Sequence, residues 1–294
     1  AGVLENTPRL NYTTGVADPY LLLEPSRTNL VTNSEYLNGI VWNGEIGVSI
    51  GTNKTTSPEG FVNSASIIED TSSGSHFAYK DFTLTSGTTY TISIYAKKNG
   101  TNRNLRFSDG GLGWSSGFTA LFNLTAGTAT GGDIESVGND WYRCSVTGTT
   151  NATACRLIVY STLNNATTYQ GDGTSGVFLY GFQLEEGSYP TSYIPTYSVS
   201  QTRAQDLCTA TSVSNLIGQT QGTIFIDVNI SDNLDTSNIR GIFDMNDGGT
   251  NNRISIYRGA NDLNIYAVIF DSGVNQASFV AYNKTGNVKI ALAY

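Results

Sequence analysis

His76 is the single histidine in the chain. Any Ser–His or Cys–His nucleophile pair would have to be built on it. Its surroundings, Ser75-His76-Phe77-Ala78-Tyr79, read as the start of a strand and show no nucleophile elbow. A packed histidine is the better reading. Gly171-Asp172-Gly173-Thr174-Ser175-Gly176 is glycine-rich, but without a lysine and a following helix it reads as a hairpin loop, not a phosphate cradle. Glycoside hydrolysis needs two carboxylates roughly 5–10 Å apart across a cleft. Glu185 and Glu186 are neighbours in a strand, so they point to opposite faces. Asp109, Asp133, Glu135 and Asp140 are scattered through loops, and their spacing makes no pair. No catalytic residue is assigned, and the chain is read as a non-enzyme.

Binding chemistry is better supplied. Exposed aromatic rings stack on the apolar faces of pyranoses, and Asn, Asp and Gln serve hydroxyls. The chain has 17 Tyr and 3 Trp. Trp42, after Ile40-Val41, and Trp141 read as core. Trp114 lies in the loop Gly111-Leu112-Gly113-Trp114-Ser115-Ser116-Gly117 and is the best candidate for a glycan platform, with folding back onto the core as an equal alternative. Tyr169, beside Asn164 and Asn165, is the second choice. Asp244-Met245-Asn246-Asp247-Gly248-Gly249 is acidic and turn-like. Its spacing is not that of an EF-hand, so a turn is the plain reading. Calcium held by Asp244, Asn246 and Asp247 is the alternative, and no other cofactor is expected. Cys144 and Cys155 would face each other if residues 148–151 formed a hairpin turn. Neighbouring core thiols and a cross-strand disulfide both remain open, and Cys208 stands apart.

The elements that must carry these residues are strands. Hydrophobic residues make up 39% of the chain and charged residues only 14%, which favours a packed core over disorder. Sixteen basic against 24 acidic residues leave a formal charge of −8 and no basic patch for nucleic acid. No apolar run approaches the ~20 residues of a membrane helix. Alternation with period two recurs throughout. Tyr90, Ile92, Ile94 and Ala96 share a face, as do Ile224, Ile226, Val228 and Ile230. Phe178, Tyr180, Phe182 and Leu184 are expected to do the same. Glycine, Asn, Ser and Thr clusters punctuate these runs. The pattern predicts an all-β protein: an irregular N-terminal strap over residues 1–40, a jelly-roll β-sandwich over 41–200, a linker over 201–220, and an incomplete sandwich over 221–294. Residues 288–294 read as a strand with no polar tail, so a piece of a longer protein is expected.

Several stretches resemble a module of tailed-phage and prophage virion fibre and spike proteins. They are Ala1-Gly2-Val3-Leu4-Glu5 running on to Pro8-Arg9-Leu10-Asn11-Tyr12, then Leu21-Leu22-Leu23-Glu24-Pro25-Ser26-Arg27-Thr28-Asn29-Leu30. Next come Trp141-Tyr142-Arg143-Cys144 and the run from Gly181 through Gln183, Glu185, Tyr193 and Pro195 to Thr196, followed by Thr202-Arg203-Ala204. Residues after Gly222 resemble concanavalin-like or laminin-G-like modules, in which calcium between loops is common. The resemblance implies a structural or adhesive virion component, assembled in a bacterial host and extracellular on release. It implies a homotrimer that contacts other virion proteins and a host-surface glycan, with no membrane insertion. A carbohydrate-binding module of a larger depolymerase and a prophage-derived surface adhesin are the alternatives. On the residues themselves, Leu21-Leu22-Leu23 is expected to be buried and stopped by Glu24-Pro25. Arg27 would pair with Glu24 or cap a turn, and Tyr193-Ile194-Pro195 would lie against a sandwich face. The signature residues Glu24, Pro25, Arg27, Gln183, Glu185, Tyr193, Pro195 and Arg203 are therefore read as bracing.

Overall fold

The computed structural model describes residues 10–11, 19–39, 41–115, 118–212, 217–218, 221–230, 239–260, 262, 264–282 and 285–294. Every regular element among them is a β-strand. The chain divides into two compact units, Ala1–Cys208 and Thr209–Tyr294.

The first unit is a sandwich of two six-stranded antiparallel sheets. One sheet, here the open sheet, runs from edge to edge through Thr128–Thr130, Ala120–Asn123, Arg103–Ser108, Ala154–Leu163, Phe77–Thr83 and Gly44–Ile46. The other, the covered sheet, runs through Asp133–Gly138, Trp141–Thr149, Thr89–Asn99, Gly176–Glu186, Ala65–Glu69 and Val48–Gly51. The chain passes repeatedly from one sheet to the other, which is the jelly-roll habit. Inward side chains of both sheets merge into one core, including Ile92, Ile94, Leu105, Phe107, Phe122, Leu157, Phe182 and Leu184. Phe82 and Phe182 meet edge to face across it at 6.1 Å.

Gly176–Glu186 departs from simple alternation. Its pairing with Thr89–Asn99 shifts register between Tyr180 and Gln183. Gly181 sits in this bulge at φ +63°, where a Cβ would come within 2.8 Å of the Tyr95 ring. An extra residue in one strand reverses the parity of everything beyond it. Val177, Leu179, Phe182 and Leu184 therefore face the core. Tyr180, Gln183 and Glu185 are turned to the outer face. The expected run Phe178, Tyr180, Phe182, Leu184 is corrected accordingly.

Three further expectations are corrected. Strand Trp141–Thr149 belongs to the covered sheet and Ala154–Leu163 to the open one, so residues 148–151 cross between sheets and make no hairpin. Cys144 and Cys155 are both free and buried. Burial pushes both thiols up, away from nucleophilic use. Leu21 and Leu23 are 42% and 53% exposed, not buried. Leu21 pairs with Leu10 in a two-residue ribbon, and a two-stranded ribbon has only limited means of covering its own side chains. Residues 201–203 are not linker, since Gln201–Arg203 pairs with Arg27–Asn29.

In the second unit Thr223–Ile230 pairs with Gly286–Ala293. Arg240–Asn246, Arg253–Arg258, Ile265–Asp271 and Val274–Ala281 form an antiparallel meander. Ile230 and Leu292 of the ribbon share a core with Ile254, Ile256, Ile265 and Ala267 of the meander. Ile224, Ile226 and Val228 pack on it by plain period-two alternation.

Candidate functional site

The signature motifs, far apart in sequence, converge on the outer face of the covered sheet. The bulge at Gly181 aims Gln183 and Glu185 outward, where residues 187–196 lie across them as a strap. The Glu185 carboxylate is fully buried. Its Oε1 accepts from the Thr191 amide at 2.8 Å and from Gln183 Nε2 at 2.6 Å, and its Oε2 accepts from the Thr191 hydroxyl at 2.7 Å. Arg27 Nε lies 3.8 Å from Oε2, and the Arg27 guanidinium stands over the Tyr189 ring at 5.6 Å. Gly187, at φ +138°, lets Arg27 pass, because a Cβ there would meet its Nη2 at 2.7 Å. Gln183 Oε1 accepts from the Ile194 amide at 2.7 Å. Buried Asn29 donates to the carbonyls of Phe182 and Ile194 and accepts from the amides of Val31 and Leu184.

The two ends of the strap are tied as firmly. Glu24 accepts from the Ser192 amide at 2.8 Å and pairs with Arg203 at 3.1 Å. Arg203 donates to the carbonyls of Ser192 and Pro25. Arg27 thus pairs with Glu185, and Glu24 with Arg203, which replaces the expected Arg27–Glu24 contact. Arg143 of the Trp141-Tyr142-Arg143-Cys144 motif reaches up to the Thr191 carbonyl at 2.6 Å. Tyr193 packs edge-on against Tyr95 and Tyr180, with centroids 6.0 and 5.8 Å away, and burial raises the phenols of Tyr180 and Tyr193. Pro195 follows Ile194, which is buried at the end of the strap. Glu24, Arg27, Gln183, Glu185 and Arg203 thus bond to other parts of the chain.

A second polar cluster joins the two sheets at one end. Buried Glu69 of the covered sheet receives Nε of Arg103, from the open sheet, at 2.8 Å and also its Nη2. The Tyr169 hydroxyl donates to Glu69 at 2.8 Å and the Asp172 amide at 3.0 Å. Burial alone would raise Glu69, but these donors outweigh it and hold the carboxyl below its usual range. Tyr169 is pushed up by burial and by that carboxylate. His76, fully buried, places Nδ1 2.7 Å from the Gly47 carbonyl and Nε2 3.3 Å from that of Tyr169. Tyr169 is therefore a locking residue with its ring against His76 at 4.5 Å, not a glycan platform.

Trp114 is also withdrawn from solvent. It is 4% exposed, stacks on Phe118 at 3.8 Å, and donates Nε1–H to the Arg156 carbonyl at 2.9 Å. Its one polar atom is satisfied inside, so the whole ring can be buried. In the second unit, Asp244 accepts from Asn246 Nδ2 and the Ser255 hydroxyl. Asn246 Oδ1 caps the Gly248 amide, and Asp247 takes the Gly249 amide and Asn252 Nδ2. These oxygens close a turn, and no cluster of three or more His, Cys, Asp or Glu suited to a metal occurs among the described residues.

Asn164 and Asn165 fare differently. They rim a shallow depression of about 250 Å³ that is also lined by Asn102, Asn104, Asn123, Thr125 and Ala126. Strand register assembles it: Arg103 pairs with Leu163 and Asn104 with Thr162, so the turns beyond both strands meet. Asn102, Asn164 and Asn165 all take positive φ, which Asn tolerates in turns. Asn104 Nδ2 donates to Asn165 Oδ1 at 2.9 Å, and Asn123 Oδ1 accepts from the amides of Thr125 and Ala126. That leaves the Asn123 and Asn165 NH2 groups, and the whole amides of Asn102 and Asn164, for a ligand. The lining carries no ionisable side chain. Its chemistry suits a neutral, hydroxyl-rich molecule. Sequence reading found two of its five asparagines. Asn102, Asn104 and Asn123 were missed because only strand pairing brings them there.

No protein-family model matches the chain, and no curated protein matches it. Among solved structures, an endo-1,4-beta-D-xylanase of Clostridium thermocellum, determined as its CBM22-1 and GH10 modules with xylohexaose, matches at 16% identity and a TM-score of 0.33. That match covers 57% of this chain and 29% of the other, so the chain spans under a third of that protein. The tripod from the baseplate of bacteriophage Tuc2009 matches over 91% of this chain and 96% of that one, at 12% identity and a TM-score of 0.23. At these scores neither likeness carries function across.

Proposed function

We propose that the chain is a structural and adhesive component of a tailed-phage or prophage virion, a fibre or spike that acts as a homotrimer and holds β-sandwich modules out to a host-surface glycan. The observation that carries this reading is the convergence of the signature motifs. Glu24, Arg27, Arg143, Gln183, Glu185, Tyr193 and Arg203 all serve one lock over the covered sheet, and their bonds and ion pairs run to other parts of the chain. Such a lock stiffens a sandwich against proteolysis and shear, which is what a display scaffold requires. The depression lined by Asn102, Asn164 and Asn165 supplies the adhesive half, because neutral amides match sugar hydroxyls.

Two measurements test the reading. Native mass spectrometry of the full chain should give three copies per particle. Labelled protein should bind bacterial cells and lose that binding when their glycans are oxidised with periodate. A monomer that binds periodate-treated and untreated cells alike would end the proposal. So would release of reducing ends from a bacterial polysaccharide by the purified chain, which would favour a depolymerase module.

A further inference from the structure

Among the rings that reach solvent in the first unit, two that the sequence did not single out stand together. Tyr36 and Tyr197 are each 56% exposed, with centroids 6.4 Å apart and planes at 62°. Together they form an open corner with one ring as floor and the other as wall. The corner is held in place from below. Glu35, almost wholly buried, accepts a hydrogen bond from the Tyr197 hydroxyl. The next residue, Ser198, takes φ +66° and donates its amide to Asn33 Oδ1 at 2.9 Å. Before Tyr197, Thr196 exchanges hydrogen bonds with Ser34, whose hydroxyl also meets that of Tyr193 at 2.6 Å. Tyr36 is turned outward by its neighbours, since Glu35 and Leu37 on either side are buried. Two large rings are thus kept bare in a fixed geometry, with a carboxylate at their base.

We propose that Tyr36 and Tyr197, the latter anchored by Glu35, form a pyranose-binding corner, in which a sugar ring stacks on one tyrosine and leans on the other. The Tyr197 hydroxyl, which donates inward to Glu35, supplies an acceptor for a sugar hydroxyl. That hydrogen bond, together with partial burial, raises the Tyr197 phenol to about 12, so it stays protonated and oriented at neutral pH. A protein partner fits less well. A stable interface needs roughly 800 Å² per side, and the polar Asn33 and Ser198 interrupt the apolar surface beside the rings. Preorganised rings lose little freedom on binding, and such a site gains by that. The corner shares no residue with the asparagine-lined depression. The inference rests on the adhesive reading for its class of ligand.

The test uses the full chain and three soluble probes that differ in linkage: maltohexaose, cellohexaose and laminarihexaose. Calorimetric titration should detect at least one. Tyr36→Ala should weaken it about tenfold, the scale of one lost stacking contact. Tyr197→Phe keeps the ring and loses the hydroxyl, so it should cost only about two- to threefold. Equal binding by wild type and Tyr36→Ala, or no binding of any probe, overturns the corner. The adhesive reading is judged separately, by periodate-sensitive binding of the same protein to cells. If that persists with Tyr36→Ala and the titrations are silent, the corner is wrong and the adhesive reading stands.

Discussion

The two outer faces of the first sandwich carry similar residues in opposite circumstances. On the covered sheet Thr91, Ser93, Gln183 and Glu185 are buried beneath the strap. On the open sheet Asp81 and Arg156 make a bidentate pair at 2.6 and 2.9 Å, with Arg156 over the Tyr79 ring at 4.2 Å, and both side chains stay a third or more open to water. By hydrogen-bond geometry alone the open pair looks at least as good as the Glu185 network. Its energetic weight is much smaller. Water can take over from Arg156 if Asp81 is lost, but it has no access to the Thr191 amide once the strap is down. Covering a face therefore turns polar groups from optional contacts into requirements.

The sharpest way to break this comparison is to remove Glu185. Glu185→Ala strands the Thr191 amide and hydroxyl in a dry site and takes the carboxylate from the partly exposed Arg27. It should destabilise the first unit by about 3–5 kcal/mol, read as a lowered denaturant midpoint. Limited proteolysis should then cut first within residues 187–196. A loss below about 1 kcal/mol would mean the strap is ornamental. Gly181→Ala attacks the same face through the backbone. A left-handed φ costs an L-residue about 1–2 kcal/mol, and the new Cβ must also displace the Tyr95 ring. A total near 2 kcal/mol is expected. The variant should also quench the tyrosine cluster's near-ultraviolet dichroism.

That bulge also marks how far the sequence could be read. Period-two alternation is a local property, so Tyr90, Ile92, Ile94 and Ala96, and the strands of the second unit, were legible from pattern alone. The reversal at Gly181 was not, because Gly-Phe in a strand looks the same with or without an inserted residue. Sheet membership was hidden for the same reason. Cys144 and Cys155 looked like hairpin partners until the chain between them proved to cross the core. The bracing role of Glu24, Gln183, Glu185 and Arg203 could be anticipated, but not their pairing, since Arg27 and Arg203 have interchangeable chemistry and only position separates them. Trp114 and Tyr169 show the limit for binding sites. An aromatic residue near a loop is left to solvent or drawn in according to whether its polar atom finds an internal partner, and both found one.

Acid should separate covered from open carboxylates with a smaller effect. Burial opposes ionisation of Glu69, yet Arg103, the Asp172 amide and the Tyr169 hydroxyl hold its carboxyl below the ordinary value. A carboxyl lowered on folding stabilises the protein above its unfolded value, near pH ~4.3, and loses that contribution as pH falls through the folded value. The denaturant midpoint should therefore drop as the pH falls below about 4.3. Glu69→Gln, which has no charge to lose, should flatten most of that drop. A slope unchanged in Glu69→Gln would show that the acid response comes from elsewhere.

The open face makes the smallest and most discriminating prediction. Arg156 also lowers Asp81, against a weaker push upward from burial, so a reading based on pKa direction alone would rank Asp81 beside Glu69. Exposure argues otherwise. Asp81→Asn keeps the shape and one acceptor, and Arg156 keeps the Tyr79 ring and solvent. The expected cost is at most about 1 kcal/mol, shrinking further in ~1 M salt, where the Debye length is about 3 Å. The double variant Asp81→Asn with Arg156→Gln should add little beyond the singles, because a screened pair has little coupling energy to lose. A coupling above about 2 kcal/mol would mean the open sheet is covered in solution, and the natural cover would then be a second copy of the chain laid across Tyr79 and Arg156.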